Sequence, residues 1–231
     1  MGQAAGTFKK VRLMDAASMS RVMVRMAHEI VEQEGGTDDL VLIGIRTRGV
    51  PLAQRIAAEI SRSEKVTMPV GLLDITLYRD DLTTVAASPV LKRTEIPFAV
   101  EDKTVVLCDD VLFTGRTVRA AMDAVLDFGR PRKILLAILV DRGRRELPIE
   151  AQFIGKKIAT SASEIVSVTF KDTDDQDDVW LLDRETKAAR KGAARKPAAK
   201  PAPAKAPAKK APAKKAPSRK VPAMKAAPKK K

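Results

Sequence analysis

The chain has 231 residues, of which 45% are hydrophobic, enough for one substantial domain or two small ones. Its net charge of +14 is uneven: 17 of the 43 Lys and Arg lie in 186–231, which has no Asp or Glu, so 1–185 hold 26 basic and 29 acidic residues, a net of −3. No apolar run approaches the roughly 20 residues that cross a bilayer, and residues 1–15 lack the apolar stretch of a signal peptide. The single cysteine, Cys108, cannot form an internal disulfide. We therefore expect a soluble protein of the reducing cytoplasm with no membrane partner.

The first part of the chain predicts two helices and two strands. Apolar residues at helical spacing predict a helix over 18–33, with Ser18 as its N-cap and two glycines at its end. A brief apolar run predicts a buried strand at 40–45. Pro51 then opens a second helix, and 70–75 predicts a second strand.

The second part continues this alternation after a long polar segment, 76–97, which we expect to be a loop. A loop of that length inside a compact domain is usually functional or disordered. Further strands are predicted at 104–110, 134–140, 165–170 and 179–182, with a helix at 115–128. Strands that are apolar throughout and alternate with helices predict an α/β fold, in which a mainly parallel central sheet is flanked by helices.

The most informative segment is 105–117. A buried strand delivers Asp109 and Asp110 to the carboxyl edge of the sheet, where open α/β sheets bind their ligands. A loop rich in Gly and Thr then opens a helix, whose N-terminus is an anion site. Thr114 and Thr117 add hydroxyl donors, and adjacent carboxylates accept hydrogen bonds from vicinal hydroxyls. The segment therefore predicts a site for a phosphorylated sugar.

Other interpretations of this segment fit less well. A P-loop ends in Gly-Lys-Thr or Gly-Lys-Ser, and Arg116 stands where the lysine belongs. A glycine fingerprint for dinucleotides is absent. The acidic pair of a response regulator normally comes early in its domain. A chance Asp-Asp turn also remains open.

The segment resembles the signature by which type I phosphoribosyltransferases bind phosphoribosyl pyrophosphate (PRPP). Stretches at 44–49, 74–82 and 140–149 narrow the resemblance to the bifunctional pyrimidine-operon regulators and uracil phosphoribosyltransferases. The resemblance runs in order from about Asp15 to Leu182. It implies the type I phosphoribosyltransferase fold with a small hood, and a reaction of uracil with PRPP that gives UMP and pyrophosphate.

The resemblance also implies roles for individual residues. Asp109, Asp110, Arg48 and Arg79 are the implied catalytic residues: the two acids hold the ribose, and the two arginines contact phosphates. The implied PRPP and nucleotide contacts are Thr47, Arg48, Gly49, Arg79, Asp109, Asp110, Val111, Leu112, Phe113, Thr114, Gly115, Arg116 and Thr117. The implied uracil pocket consists of Arg142, Gly143, Arg144 and Val166. Mg²⁺ is implied as an ion that PRPP itself carries, so no protein ligand for a metal is named.

Two residues near the implied site depart from the family pattern. The family usually has His where this chain has Arg144, and a fixed cation beside the base pocket is expected to alter uracil affinity or the reaction. Cys108 stands where an aliphatic residue is usual. A buried thiol behaves as a small hydrophobic group, so we expect it to be inert.

The family's second activity is binding of its own operon's messenger RNA, which uridine nucleotides such as UMP and UTP stimulate. Arg25, His28 and Arg145 match positions of the RNA-facing surface. At two other positions of that surface, Val24 stands where the family has a residue with a hydroxyl group, and Glu150 stands where it has a basic residue. Three functions therefore stay open: an active transferase that also regulates, a nucleotide-sensing regulator with little catalysis, and a transferase for another base. The family forms dimers and larger assemblies, so we expect a homo-oligomer.

The last 46 residues, 186–231, differ from the rest and have no counterpart in that family. They consist mainly of Lys, Arg, Ala and Pro and resemble the tails of linker histones. A segment with so little to bury is expected to be disordered. Its cations predict binding of RNA or DNA without sequence preference, and a solubilising role is the alternative. We therefore divide the chain into a phosphoribosyltransferase domain, 1–185, and a basic tail, 186–231.

Overall fold

The computed structural model describes residues 8–78 and 93–184. Its elements in chain order are β1 (Phe8–Asp15), α1 (Ala16–Glu34), β2 (Leu40–Ile45), α2 (Gly49–Glu64), β3 (Val70–Leu73), a 3-10 turn (Thr76–Tyr78), β4 (Thr104–Leu112), α3 (Arg116–Leu126), β5 (Lys133–Asp141), β6 (Phe153–Lys157), β7 (Glu164–Thr169) and β8 (Asp178–Arg184). Among the described residues, no helix is both long and apolar enough to span a bilayer.

Five parallel strands form the central sheet, in the order β3-β2-β4-β5-β6. Side chains alternate between the two faces of each strand. In β4, Val106 and Cys108 face the core with α1 and α2, whereas Val105 and Leu107 face the core with α3. The predicted α/β fold with helices on both faces is therefore confirmed.

Three antiparallel strands, in the order β1-β8-β7, form a second, smaller sheet that we call the hood. It pairs the first described strand with the last, so that Val11 lies opposite Leu181 and Leu181 opposite Val166. Two strands were not predicted from the sequence: β1, because its charged residues hide the alternation, and β6, which contains only two large apolar residues.

Helix starts differ from the sequence predictions. Helix α1 begins at Ala16, and its N-cap is Asp15, whose Oδ1 accepts a hydrogen bond from the amide of Ser18 at 2.8 Å. The prediction of Ser18 as the cap was therefore wrong: an acidic side chain at the end of β1 satisfies the open amide instead. Helix α2 begins at Gly49, ahead of Pro51, which occupies the first turn, where a missing amide costs no helical hydrogen bond.

The strands next to the long predicted loop also differ in length. β3 ends at Leu73, because Asp74 accepts a hydrogen bond from the amide of Thr76 at 2.9 Å and starts the 3-10 turn. β4 continues two residues beyond the predicted end, to Leu112. Of the predicted loop, residues 79–92 lie outside the described part of the chain.

Candidate active site

Two adjacent carboxylates lie near the end of β4, at the carboxyl edge of the central sheet. Asp109 is buried, with 7% of its surface exposed, and Asp110 is half-buried. Oδ1 of Asp109 accepts a hydrogen bond from the amide of Asp110 at 3.0 Å, and Oδ1 of Asp110 accepts one from the amide of Val111 at 3.0 Å. The backbone that follows each carboxylate therefore fixes its orientation.

The surroundings of Asp110 favour its protonated form. Burial raises the pKa of Asp110 above its ordinary value, and the hydrogen bond with Asp109 and the charge of Arg48 only partly oppose this shift. Such a perturbed acid at a sheet edge is a candidate for ligand binding.

The start of α2 packs directly on this acid pair. A side-chain carbon on Gly49 would overlap the carbonyl oxygen of Cys108 and would lie 3.1 Å from Cα of Asp109. Glycine alone leaves room for this approach. It brings the loop of Thr47, Arg48 and Gly49 beside the acids, where the amides at the helix N-terminus favour an anion.

The loop between β4 and α3 ends at Gly115, which has a φ of 93° and immediately precedes Arg116, the first residue of α3. The carbonyl of Thr114 accepts hydrogen bonds from the amides of Glu146 and Leu147, both at 3.0 Å. Nε of Arg116 donates to Glu146 at 2.8 Å. The connection between β5 and β6 therefore holds this loop at the N-terminus of α3, a second anion site next to the acid pair.

Not every predicted member of this loop offers a side chain to a ligand. Leu112 is 1% exposed and belongs to the core beneath α3, and Val111 packs against the opposite core cluster. These two residues can bind phosphate only through their backbone. Thr114 and Thr117 are half-buried and supply the hydroxyl groups, while Phe113 is exposed.

Arg142 connects the end of β5 with the hood and with residues 111–117 at the junction of β4 and α3, the candidate phosphate-binding segment, which we call the phosphate loop. Its Nε donates to Oγ1 of Thr160 at 3.0 Å, and its Nη2 donates to the carbonyl of Glu164 at 2.8 Å. Its guanidinium stacks 4.1 Å from the ring centre of Phe113. The side chain is 6% exposed, so these contacts within the protein account for most of its surroundings.

The other predicted pocket residues lie around this guanidinium. Gly143 and Arg144 both have a positive φ, 70° and 60°, and turn the chain sharply after β5. Arg144 is exposed, and its Nη1 lies 3.5 Å from the carbonyl of Thr160. Val166, on β7, follows two residues after Glu164, whose carbonyl binds Arg142. The four predicted pocket residues thus border the junction of β5 and the hood.

Arg145 points into the protein rather than out of it. Its Nη2 pairs with Oδ2 of the buried Asp141 at 2.7 Å, and its side chain is 20% exposed. Its remaining donors reach four carbonyls, those of Leu112 at 3.3 Å, Phe113 at 3.0 Å, Gly143 at 3.2 Å and Ile149 at 2.9 Å. Arg145 therefore ties the phosphate loop to the turn after β5, an arrangement that sequence matching to an RNA-facing position did not reveal.

The remaining predicted RNA contacts lie on α1. Arg25 and His28 are exposed on this helix, and Val24 beside them is half-buried. Arg25 pairs with Glu29 at 2.5 Å and donates to the carbonyls of Ile154 and Gly155 on β6, both at 2.9 Å. These contacts fix the guanidinium at the surface between α1 and β6.

Of the predicted catalytic residues, Arg79 lies outside the described residues. Cys108 is fully buried, and burial raises the pKa of its thiol, as expected for an unreactive group. Within residues 8–78 and 93–184, no cluster of three His, Cys, Asp or Glu side chains is arranged to hold a metal. Asp174, which pairs with Arg48, was not predicted from the sequence, although it lies in a stretch of acidic residues that could have indicated it.

Comparison with known proteins relates this site to a family. The profile of the phosphoribosyl transferase domain matches residues 12–172. The bifunctional protein PyrR of Pelotomaculum thermopropionicum is 55% identical over 175 residues, which are 76% of this chain and 97% of that protein. The bifunctional protein PyrR of Thermus thermophilus is 56% identical over 176 residues, again 76% of this chain and 97% of that protein.

Solved structures show the same fold at low identity. The hypoxanthine phosphoribosyltransferase of Trypanosoma cruzi superimposes with a TM-score of 0.57 at 16% identity, over 75% of this chain and 97% of that one. The enzyme of the same name from Staphylococcus aureus gives a TM-score of 0.51 at 18% identity, over 67% and 80%. The domain match over residues 12–172 and the identity with the two PyrR relatives show that the chain belongs to the phosphoribosyltransferase family and, within it, to the bifunctional PyrR proteins.

Proposed function

We propose that the protein transfers the phosphoribosyl group of PRPP to uracil, giving UMP and pyrophosphate, and that it also binds RNA to regulate pyrimidine genes. The observation that carries the enzymatic part is the acid pair Asp109–Asp110, which lies beside two helix N-termini at one sheet edge. The two carboxylates can accept hydrogen bonds from the hydroxyl groups of a sugar, and the anion site on each side of them can bind a phosphate group at each end of that sugar. The name of the bifunctional relatives supports the second activity.

In this proposal the protein contributes position and charge. Asp109 and Asp110 accept hydrogen bonds from the ribose hydroxyls, while the N-terminus of α3 binds the 5′-phosphate. Arg48 and the amides at the start of α2 bind the pyrophosphate, which departs as its bond to C1 of the ribose breaks. Mg²⁺ that enters with PRPP neutralises part of the pyrophosphate charge, and Arg79 is proposed as a further phosphate contact.

The proposed base site borders the turn after β5. The carbonyl of Gly143, which accepts one hydrogen bond from Arg145, can accept a second from an N–H of uracil. Val166, of which 9% is exposed, offers a small apolar surface, and Arg144 adds a positive charge at the rim. Arg142 connects the turn after β5 with the hood, through its hydrogen bond to the carbonyl of Glu164, and with Phe113, through stacking on its ring. UMP and UTP would occupy the same base and phosphate sites. We also propose a cytoplasmic location and a homo-oligomeric state.

The decisive experiment incubates the purified protein with PRPP, Mg²⁺ and each nucleobase in turn, and identifies the nucleotide formed. UMP from uracil alone is the expected result. Nucleotide formation with another base would assign a different transferase. No nucleotide from any base, together with binding of UMP and RNA, would leave a regulator that senses nucleotides.

Replacing Arg145 by Gln is expected to impair the transferase. The change leaves the carboxylate of Asp141 without its cation, and breaking a buried pair in this way costs about 3 kcal/mol. The phosphate loop loses two hydrogen bonds that hold it, and the turn after β5 loses a third, so the loop is displaced and the KM for PRPP is expected to rise about tenfold or more. Steady-state kinetics and thermal unfolding measure the two effects.

Arg119 on α3 provides the matched control for Arg145. It is an exposed arginine that pairs only with Asp123 in the described part of the chain, so Arg119→Gln should leave KM and the melting temperature nearly unchanged. If Arg145→Gln left both quantities at the control level and reduced RNA binding alone, Arg145 would be a direct RNA contact as the family position implies.

We further propose that the basic tail, 186–231, binds nucleic acid without sequence preference, while Arg25 and His28 on α1 contribute to specific RNA binding. Residues 1–185 carry a net charge of −3, so long-range attraction to RNA must come from the 17 cations of the tail. Contacts of a cationic chain with the phosphate backbone carry no sequence information. The acidic Glu150, which is exposed, opposes RNA at its own position.

Removing residues 186–231 should flatten the salt dependence of RNA binding and leave transferase activity unchanged. The slope of log K against log salt falls by roughly 0.7 for every phosphate of single-stranded RNA that is no longer neutralised. Filter binding at several salt concentrations, with a pyrimidine-leader RNA and a scrambled control, measures this slope. Equal affinity and equal slope for the full chain and the truncated chain would refute the role of the tail.

A further inference from the structure

The hood is joined to α2 by ion pairs that the proposed function does not use. The turn between β7 and β8 carries Asp172, Asp174 and Asp177, and we call it the acidic turn. Arg48, the N-cap of α2, pairs with Asp174 at 3.1 Å. Arg55, two helical turns further along, pairs with Asp172 at 2.5 Å and with Asp177 at 2.8 Å.

Asp174 approaches Arg48 from one side of its guanidinium. Oδ1 of Asp174 accepts from Nη2 at 3.1 Å, and Oδ2 lies 3.4 Å from Nε. Nη1 takes no part in this pair, and it belongs to the opposite edge of the same planar group. A carboxylate that holds the Nε–Nη2 edge therefore fixes the direction of the Nη1 edge.

The hood holds Asp174 itself in place. Its Oδ2 accepts hydrogen bonds from the amide of Phe170 and from Oγ1 of Thr173, both at 3.1 Å. The hydrogen bond from Arg48 is the main reason that the pKa of Asp174 is lowered, so the carboxylate stays charged at neutral pH. A fixed anion of this kind restricts the arginine more than solvent or a flexible side chain would.

Arg48 also lies beside the acid pair. The next residue, Gly49, packs so closely on β4 that a side-chain carbon there would lie 3.1 Å from Cα of Asp109. The positive charge of Arg48 accordingly lowers the pKa of Asp110 and partly offsets the effect of burial. The side chain is 42% exposed, so a ligand can approach it. Arg48 therefore adjoins both the acid pair, through its neighbour Gly49, and the acidic turn, through Asp174.

We propose that Asp174 is a positioning residue, which holds Arg48 so that its Nη1 edge meets the pyrophosphate group of PRPP and of the released product. The inference rests on the proposed function and assigns a role to a hood residue that contacts no substrate. An arginine held in one rotamer loses less freedom when it binds a phosphate. A nearby carboxylate also repels pyrophosphate, and the sign of the measured effect decides which influence dominates.

The test compares Asp174→Asn with Asp177→Asn, which removes the same charge from the same turn but affects Arg55 instead of Arg48. Calorimetry with Mg²⁺ and pyrophosphate measures product binding without requiring turnover, and kinetics measure KM for PRPP and for uracil. Asp174→Asn should weaken pyrophosphate binding and raise the KM for PRPP by about tenfold, the size of one charge-assisted hydrogen bond. The KM for uracil and the melting temperature should change no more than in the control.

Two further variants separate positioning from a general loss of structure. Asp174→Glu keeps the charge and should recover part of the affinity for pyrophosphate. Arg48→Gln should weaken pyrophosphate binding strongly in the wild-type background and much less in Asp174→Asn, because Asp174 acts through Arg48.

Three results would overturn the inference: tighter or unchanged pyrophosphate binding in Asp174→Asn, equal losses from Arg48→Gln in both backgrounds, or no pyrophosphate binding by the wild-type protein. The proposed function fails on a separate result. If pyrophosphate binding showed the expected dependence on Arg48 and Asp174 but the wild-type protein formed no UMP from uracil, the positioning role would stand and the assignment of uracil would fall.

Discussion

Replacing Asp109 and Asp110 together by Asn is expected to lower the rate of UMP formation roughly a hundredfold or more, since hydrogen bonds to charged groups contribute about 1.5–3 kcal/mol each and about 1.4 kcal/mol is a factor of ten. Asparagine keeps the size of each side chain but removes its charge and half of its acceptors. Both side chains lie at the carboxyl edge of the sheet, where each accepts a hydrogen bond from the amide of the next residue, and an asparagine oxygen can accept the same bond, so the fold should survive the change.

The loss should appear in kcat/KM for PRPP, measured by detecting UMP over a range of PRPP concentrations. Asp123→Asn is a matched control, because Asp123 is an exposed acid on α3 whose pair with Arg119 is of little energetic consequence. Unchanged turnover in the double variant would remove the acid pair from the proposed ribose site.

The raised pKa of Asp110 adds a pH dependence to the same experiment. The ionised carboxylate is the better hydrogen-bond acceptor for the ribose, so activity should be present above the raised pKa and should be lost as the pH falls through it. The acid limb of kcat/KM should therefore lie at higher pH than for an ordinary aspartate. Asp110→Asn alone should abolish that limb, whereas a limb that persists would belong to another group.

Replacing Gly49 by Ala is expected to lower transferase activity by an amount second only to the loss in the double Asp109→Asn, Asp110→Asn variant. The added carbon would overlap the carbonyl oxygen of Cys108 in the backbone of β4, which cannot move without disturbing Asp109. Overpacking of this kind costs about 1–3 kcal/mol of stability. Because α2 must shift with its N-terminal loop, a displacement of about 1 Å at the pyrophosphate site is expected to lower kcat/KM roughly a hundredfold.

Gly71→Ala is the matched control for Gly49→Ala. Gly71 is a buried glycine in β3, and a carbon placed there would lie 3.2 Å from side-chain atoms of Ile96 and Phe98, which can adjust. Both variants should show lower melting temperatures, but only Gly49→Ala should lose PRPP affinity after the comparison is made at a temperature where both are folded. Equal activity losses in the two variants would show that general destabilisation is the cause.

The sequence alone determined the parts of the site that are contiguous. β4, the phosphate loop and α3 follow one another within 104–126, so the acid pair and the helix N-terminus could be placed together from the strand and helix signals. The apolar runs of β2 and β5 likewise predicted buried parallel strands. Such features depend on periodicity and on hydrogen bonds within a short window, which the sequence displays directly.

Tertiary structure decided the contacts between distant segments. Arg48 and Asp174 are 126 residues apart, and nothing in either local sequence shows that they meet. Arg145 matched a surface position of the family, yet its guanidinium turns inward to Asp141 and to the carbonyls of the phosphate loop.

The physical reason is that a charged side chain can be solvated, paired at the surface or drawn into the protein, and the choice depends on which elements pack against it. β1 follows the same rule. Its charged strand, Phe8–Asp15, becomes a strand because β8, near the other end of the domain, offers backbone hydrogen bonds to it. The sequence therefore determined four of the five central strands and placed the acid pair at their edge, whereas the packing of the hood and of α2 decided how the arginines around that edge are held.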